Sequence, residues 1–355
     1  MSLSKASLQN IIGRKIMVAE TPSFPNELTG KSILVTGAGG TIGSEICRQI
    51  AQYAPENIIL FGHGENSIYQ IGKELAYKFP NQTCIKVIGD VQSKEDIARI
   101  LTRYSIDIIY HAAAHKHVPL MEENPYVAIS NNIIGTKNLA NMADRFQIEK
   151  FIMISTDKAV APTSVMGATK RIAETIVANK NTESNTSFST VRFGNVLDSR
   201  GSVIPLFREQ IIHGGPLTIT HPEMARYFMT IEEAANLVVK ASFYAAGGEI
   251  FVLDMGDEVK IVDLAERLIN MMTDKPIKVI FSGIRNGEKL HEDLMEEEEC
   301  AIRNEGLGIF VGQALTGNEV AIDQLIIQAP QMDDKVMRQT LLQLANQAQA
   351  LIQAK

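Results

Sequence analysis

Glycines stand at the first, fourth and seventh places of the stretch Gly37-Ala38-Gly39-Gly40-Thr41-Ile42-Gly43, which follows a short apolar run and opens a helical pattern. Residues without a Cβ let the chain turn tightly and let its backbone approach a pyrophosphate, which the unpaired N–H groups of a helix start can hold. The turn follows the first of a series of strand patterns. Gly37, Gly39, Gly40, Thr41, Ile42 and Gly43 therefore read as a dinucleotide-binding turn rather than only a tight strand-to-helix connection.

A carboxylate about 20 residues further on would hold the adenosine ribose of NAD. That place carries Gly62 followed by His63. His63 is a candidate donor to a 2′-phosphate and Glu65 a candidate carboxylate for a ribose hydroxyl, so NAD and NADP both stay open. Asp90 and Val91 are candidates to flank the adenine, and Ala112, Ala113 and Ala114 would let backbone approach the cofactor. Both groups follow strand patterns, at the ends where ligands bind in such sheets.

The elements that must position these residues are legible as apolar runs at 32–36, 57–61, 84–88, 107–110, 151–154 and 187–191, separated by amphipathic stretches such as 41–53, 93–104 and 127–146. Repeated strand–helix units of this kind predict an α/β fold, a Rossmann-type doubly wound parallel sheet. We expect an N-terminal arm over 1–30, ending near Pro22 and Pro25, and a dinucleotide-binding domain over 31–200. A smaller C-terminal α/β substrate lobe over 201–330, partly interleaved with the first, and a C-terminal helix over 331–355 for packing or oligomer contacts complete the expected organisation.

Length and charge bound the rest. At 355 residues the chain exceeds one core of about 150 residues, and 45% hydrophobic with 21% charged residues is the composition of a globular protein. A net charge of -7 argues against a nucleic-acid surface. The three cysteines, Cys47, Cys84 and Cys300, have neither zinc spacing nor an even count, which fits a reducing compartment. No run approaches the ~18 apolar residues of a membrane span, so a cytoplasmic protein is expected.

After the fifth strand pattern comes Ser155-Thr156-Asp157-Lys158, and then Met166-Gly167-Ala168-Thr169-Lys170. Together with the glycine turn, these segments resemble the extended short-chain dehydrogenase/reductase family, whose usual triad is Ser/Thr, Tyr and Lys. Met166 stands where that tyrosine would be, and a thioether cannot exchange a proton. The departure points to one branch: the chain is similar to the capsular-polysaccharide type of UDP-N-acetylglucosamine 4,6-dehydratases, among which the methionine is associated with retention at C5. Further matching stretches lie at 111–125, 132–136, 192–207, 220–230 and 283–290; Asp198 departs from the pattern, standing where glycine is expected.

The resemblance implies a reaction in which hydride leaves sugar C4 for a tightly bound, recycled nicotinamide, water is eliminated across C5 and C6, and hydride returns to C6. Such an elimination needs a base for the C5 proton and an acid for the C6 hydroxyl. The resemblance gives Asp157 the acid role, Lys158 the base role, Thr156 the O4 region of the sugar and Lys170 the nicotinamide ribose. Ordered water or Asp157 are candidates to receive the O4 proton. An amine that acts as a base must lose its proton, which burial and neighbouring positive charge favour.

A UDP-sugar brings two phosphates and a uracil to an acidic protein, so guanidinium groups and backbone donors are needed. Arg226, in the stretch 220–228, and Arg285 with Glu288, in 283–290, are the candidates. Asn195, Ser202 and Val203 are candidates for uridine and phosphate contacts, and Lys116 for the substrate face of the fourth strand. His115 and His117 lack a third ligand at zinc spacing, so no metal is expected. A homo-oligomer is the family-based expectation. Alternatives are a C5-inverting 4,6-dehydratase, a UDP-sugar 4-epimerase, which would ordinarily need the missing tyrosine, and a non-catalytic nicotinamide-binding scaffold in which Asp157 and Lys158 do not converge on the nicotinamide site.

Overall fold

The computed structural model describes residues 5–13, 16, 27–304 and 308–347. Pro22 and Pro25, and the part of the expected terminal helix beyond residue 347, lie outside the described residues. Helix α1 (Lys5–Ile12) precedes β1 (Ser32–Thr36), α2 (Thr41–Ala51), β2 (Asn57–Gly62), α3 (Glu65–Lys78), β3 (Thr83–Ile88), α4 (Lys94–Arg103) and β4 (Ile108–His111). Two short helices follow, α5 (Val118–Glu123) and α6 (Pro125–Ala128). The second runs through a π-helical turn at Ile129–Ile134 into α7 (Gly135–Arg145), so the single helix expected at 127–146 is present with a widened middle. Next come β5 (Lys150–Thr156), α8 (Val165–Asn181) and β6 (Ser187–Phe193).

Beyond β6 the elements shorten: β7 (Asn195–Val196), α9 (Val203–Ile212), β8 (Leu217–Ile219), β9 (Ala225–Arg226), β10 (Phe228–Met229) and α10 (Ile231–Tyr244). They are followed by β11 (Glu249–Leu253), β12 (Val259–Lys260), α11 (Ile261–Met272), β13 (Val279–Phe281), β14 (Ile302–Asn304) and β15 (Ile309–Gln313). Helices α12 (Glu319–Gln328) and α13 (Asp334–Gln347) end the described chain.

Nine strands form the main sheet in the order β14-β15-β11-β6-β5-β4-β1-β2-β3. The run from β11 to β3 is parallel, and β15 and β14 add antiparallel pairs at one edge. All residues of β1 and β4 are buried, as expected of parallel strands covered on both faces, which is why they read as continuous apolar runs. One covering layer, with Ile46, Ile50, Ile71 and Val238, comes from α2, α3 and α10. The other, with Ile97, Ile133, Leu139, Ile172, Met337 and Leu341, comes from α4, the α6–α7 helix, α8 and α13. The terminal helix α13 thus packs within the chain, on α8.

A third apolar cluster builds the small lobe: Phe207 of α9, Leu217 of β8, Met224 and Leu264 of α11. Ile11 and Ile12 of α1 are part of it, and Arg267 Nη1 donates to the Ile11 carbonyl at 3.1 Å, so the described start of the arm docks on this lobe. The 201–330 segment is shared between two bodies, because β11, β15 and β14 leave the small lobe to extend the main sheet. Chain order reverses between β1 and β4, and the crevice at their C-terminal ends is where such sheets bind ligands. Among the described residues no helix is long and apolar enough to cross a membrane.

Candidate active site

The glycine turn sits at the C-terminal end of β1. Gly37 has φ of +65°, in the region that favours glycine, and a Cβ there would lie 2.7 Å from the Ala113 nitrogen. A Cβ on Gly43 would lie 2.2 Å from the Gly37 oxygen, so the first turn of α2 rests directly on the loop. Gly40 caps α2 without a side-chain bond, which leaves the helix start for an anion. Arg200, not singled out in the sequence, brackets the same turn: its backbone N donates to Thr41 Oγ1 at 3.3 Å and its Nη1 to the Gly39 carbonyl at 3.1 Å.

Ala112 and Ala113 complete the opposite wall, their backbone N–H groups donating to the carbonyl and Oγ1 of Thr36 at 3.2 and 3.3 Å. Thr36 Oγ1 also meets His111 Nδ1 at 2.8 Å, and burial pushes that imidazole down to about 3, so His111 is a neutral link between β1 and β4. Ala114 is exposed in the same loop. Asn132, in the π-helical turn, holds the loop by accepting from His115 N at 2.8 Å and donating to its carbonyl at 3.0 Å. It also donates to Thr169 Oγ1 of α8 at 3.0 Å.

His63 is exposed just beyond β2. The Asp90 carboxylate accepts from the Gln92 backbone at 2.9 Å, a local turn, and Val91 is buried against Gly135. His63 follows β2, and Asp90 and Val91 follow β3, at the strand ends where such sheets bind ligands.

At the end of β5, Thr156 leads into a 3₁₀ turn, Asp157–Ala159. Asp157 is fully buried, and its Oδ1 accepts from Thr156 Oγ1 at 2.8 Å and from Lys158 Nζ at 2.9 Å. Its Oδ2 is buried without a hydrogen-bond partner among the described residues. Gly194 makes room here, since a Cβ on it would lie 3.1 Å from Asp157 Oδ2 and 3.1 Å from Tyr227 Cβ. Lys158 Nζ also donates to Asn195 Oδ1 at 3.1 Å, so Asp157, Lys158, Thr156 and Asn195 form one cluster.

Helix α8 is pressed onto this turn: a Cβ on Gly167 would lie 2.2 Å from the Lys158 oxygen. Met166 is buried in the apolar cluster that also holds Val165, Ala168 and Ile172 of α8. Lys170, 4% exposed, donates from Nζ to the Ile154 carbonyl at 2.8 Å, and burial pushes its amine down to about 8. Behind the site Arg171 of α8 and Arg192 of β6 form buried ion pairs with Glu174, Glu296 and Glu299. Glu296 also accepts from the Ala161 backbone at 3.2 Å, anchoring the loop that follows Lys158.

Arg226, the sequence candidate for a phosphate, is buried. Its Nη atoms donate to the carbonyls of Ala225, Leu290 and Lys289 at 2.6, 2.9 and 2.7 Å, which ties β9 to the 283–290 segment. Arg285 is exposed, and Glu288 accepts from its backbone N at 3.1 Å within a local turn. That turn is tied to the loop that follows Lys158, Lys289 Nζ donating to the Val160 carbonyl at 2.9 Å. Ser202 caps α9 and its Oγ is buried without a partner among the described residues, with Val203 next to it. Lys116 Nζ reaches Ser199 Oγ at 3.3 Å, and burial lowers its pKa. Asp198 adopts φ of +54°, which explains why glycine is the expected residue there.

Glu292 is the residue the sequence reading passed over. It is 5% exposed, with Oε1 3.5 Å from Lys158 Nζ and 3.9 Å from Arg226 Nε. The signal was close by, four residues beyond Glu288 in the same stretch.

Residues 33–313 match the family described as Polysaccharide biosynthesis protein. The capsular polysaccharide biosynthesis protein CapD of Staphylococcus aureus is 51% identical over 349 residues, covering 97% of this chain and 58% of CapD. The chain thus spans little more than half the length of the curated relatives it matches at this level. A UDP-N-acetylglucosamine 4,6-dehydratase (inverting) of Campylobacter jejuni is 35% identical over 282 residues, covering 78% of this chain and 80% of that one. Among solved structures, Pen from Bacillus thuringiensis superposes with a TM-score of 0.76 at 34% identity, over 81% of this chain and 90% of that one. The match across nearly the whole Rossmann-type body places the chain in the polysaccharide biosynthesis protein family.

Proposed function

We propose that the chain is a UDP-N-acetylglucosamine 4,6-dehydratase that supplies a 4-keto-6-deoxy sugar nucleotide for surface polysaccharide synthesis. The observation that carries this reading is the Asp157–Lys158 pair, in contact at 2.9 Å at the mouth of the crevice, with Met166 buried where a catalytic tyrosine would stand. The Campylobacter jejuni relative and the capsular relative support the substrate class and the pathway.

A nicotinamide dinucleotide, NAD or NADP, fits the cradle built by Gly37, Gly40, Gly43 and the start of α2, where a Cβ on Gly37 or Gly43 would collide with backbone. When bound it supplies the hydride acceptor for C4 and the hydride donor for C6. Lys170 is the residue to hold its nicotinamide ribose, and its lowered amine pKa suits a site next to a second positive charge. Oxidation at C4 acidifies the C5 proton. Lys158 takes that proton as Asp157 gives one to the departing C6 oxygen; the C5–H and C6–O bonds break, a C5–C6 double bond forms and water leaves. Protonation of C5 by Lys158 accompanies hydride return, and Met166 favours retention at C5.

The test is incubation of the purified protein with UDP-N-acetylglucosamine, without added cofactor, followed by mass spectrometry and proton NMR. Loss of one water with a C6 methyl doublet supports the reading, and the C5 coupling assigns retention or inversion. An unchanged mass with a C4 epimer would replace it with a 4-epimerase, and an unaltered sugar after addition of NAD and NADP would remove it.

A further inference from the structure

Lys158 is held by more than Asp157. Its Nζ donates to Asp157 Oδ1 at 2.9 Å and Asn195 Oδ1 at 3.1 Å, and Glu292 Oε1 stands at ion-pair distance, 3.5 Å. Glu292 lies on a segment fastened from several sides. Arg226 binds the carbonyls of Lys289 and Leu290, Lys289 Nζ binds the Val160 carbonyl, and the Glu292 backbone donates to Glu258 Oε1 at 3.4 Å. A carboxylate so placed, 5% exposed and beside Lys158, is more than a structural counter-ion for Arg226, whose nearest approach to it is 3.9 Å.

We propose that Glu292 is a positioning residue for the dehydration, fixing the Lys158 amine and, through its negative charge, setting the pH at which that amine becomes a base. The inference rests on the dehydratase reading. The Lys158 proton leaves along its shortest contact, to Asp157 Oδ1, which arms both groups in one transfer: Asp157 gains the proton it will give to the C6 oxygen and Lys158 the lone pair it needs for C5. Burial pushes the Glu292 carboxyl above the ordinary range, with Asp157 acting in the same direction and Lys158, Arg226 and Lys289 acting against it. The group therefore responds to pH closer to neutrality than a surface carboxylate does.

The experiment is the pH profile of kcat/KM for UDP-N-acetylglucosamine in the full chain and in Glu292→Gln, with folding checked by circular dichroism and thermal melting. Removing the negative charge moves the acidic limb to lower pH by about one unit, and Glu292→Ala lowers kcat at least about tenfold with KM changed less than twofold, since Glu292 acts through Lys158. If Glu292→Gln does not fold, Glu292→Asp keeps the charge and retracts it by one methylene: the limb stays in place and kcat drops several-fold. A Gln profile superimposed on that of the wild type, or an Asp variant with full kcat, overturns the inference. A wild-type protein inert toward UDP-N-acetylglucosamine instead overturns the dehydratase reading on which it stands.

Discussion

Lys158 Nζ and Asp157 Oδ1 are neighbours in sequence and 2.9 Å apart in space, in a 3₁₀ turn held against α8 by the absence of a side chain at Gly167. Adjacent residues rarely aim two functional groups at one point unless the backbone turns between them. In the proposed elimination the contact sets the two proton transfers side by side: Lys158 keeps the proton taken at C5 until it returns it there, and Asp157 gives one to the C6 oxygen.

Removing either member should therefore stop the elimination. Asp157→Asn and Lys158→Met are each expected to lower kcat by about 100- to 10,000-fold while bound dinucleotide, measured after denaturing the purified protein, is retained. Loss of the dinucleotide along with activity would show instead that the pair holds the fold of the site.

Lys170 carries a stability signature. Its amine titrates near 8 in the folded chain, below its ordinary 10.5, because burial disfavours the charged form. Between these values the unfolded state binds more protons, so wild-type stability rises with pH across that window and the cost is fully present below about pH 8. Lys170→Met should be more stable than wild type at pH 7, by up to about 3 kcal/mol, with the difference vanishing above pH 10.5 in urea titrations. The same variant should lose most of its turnover.

The glycine cradle can be tested without catalysis. Gly43→Ala puts a methyl 2.2 Å from where the Gly37 oxygen now sits, so the turn must open. We expect dinucleotide affinity to fall at least about tenfold, ~1.4 kcal/mol, by isothermal titration, with far-ultraviolet circular dichroism unchanged.

The buried ion pairs behind the site predict a large stability effect. Arg192 is fully buried between Glu174 and Glu299, and deleting it leaves both carboxylates, with Glu296, to share the single guanidinium of Arg171. Arg192→Met should cost about 3–5 kcal/mol in denaturant unfolding, and Glu299→Gln less, because it removes charge while keeping a hydrogen-bonding side chain.

Much of this architecture was legible in the chain itself. The six strand patterns from 32 to 191 reappear as β1 to β6 with bounds shifted by at most two residues; β1 and β4, buried on both faces, leave an unbroken apolar run, whereas no residue of β3 is buried. The glycine turn was legible because its geometry excludes Cβ atoms. Past β6 the signal weakens: β7, β9, β10 and β12 are two residues long, and the return of β11, β15 and β14 to the main sheet depends on packing over long separations. Side chains that meet across such distances were missed for the same reason. Glu292 lies 134 positions from Lys158, and Arg200 reaches the glycine turn 161 positions away. The backbone partners of Arg226, at Lys289 and Leu290, lie 63 and 64 positions away and were not legible for the same reason.

The most direct test follows the hydrogen atoms. UDP-N-acetylglucosamine carrying deuterium at C4 is turned over in ordinary water, and the product is read by NMR and mass spectrometry. The account predicts loss of one water, deuterium moved from C4 to the C6 methyl group, and protium at C5. Deuterium that stays at C4, with the mass of the sugar unchanged, would contradict it.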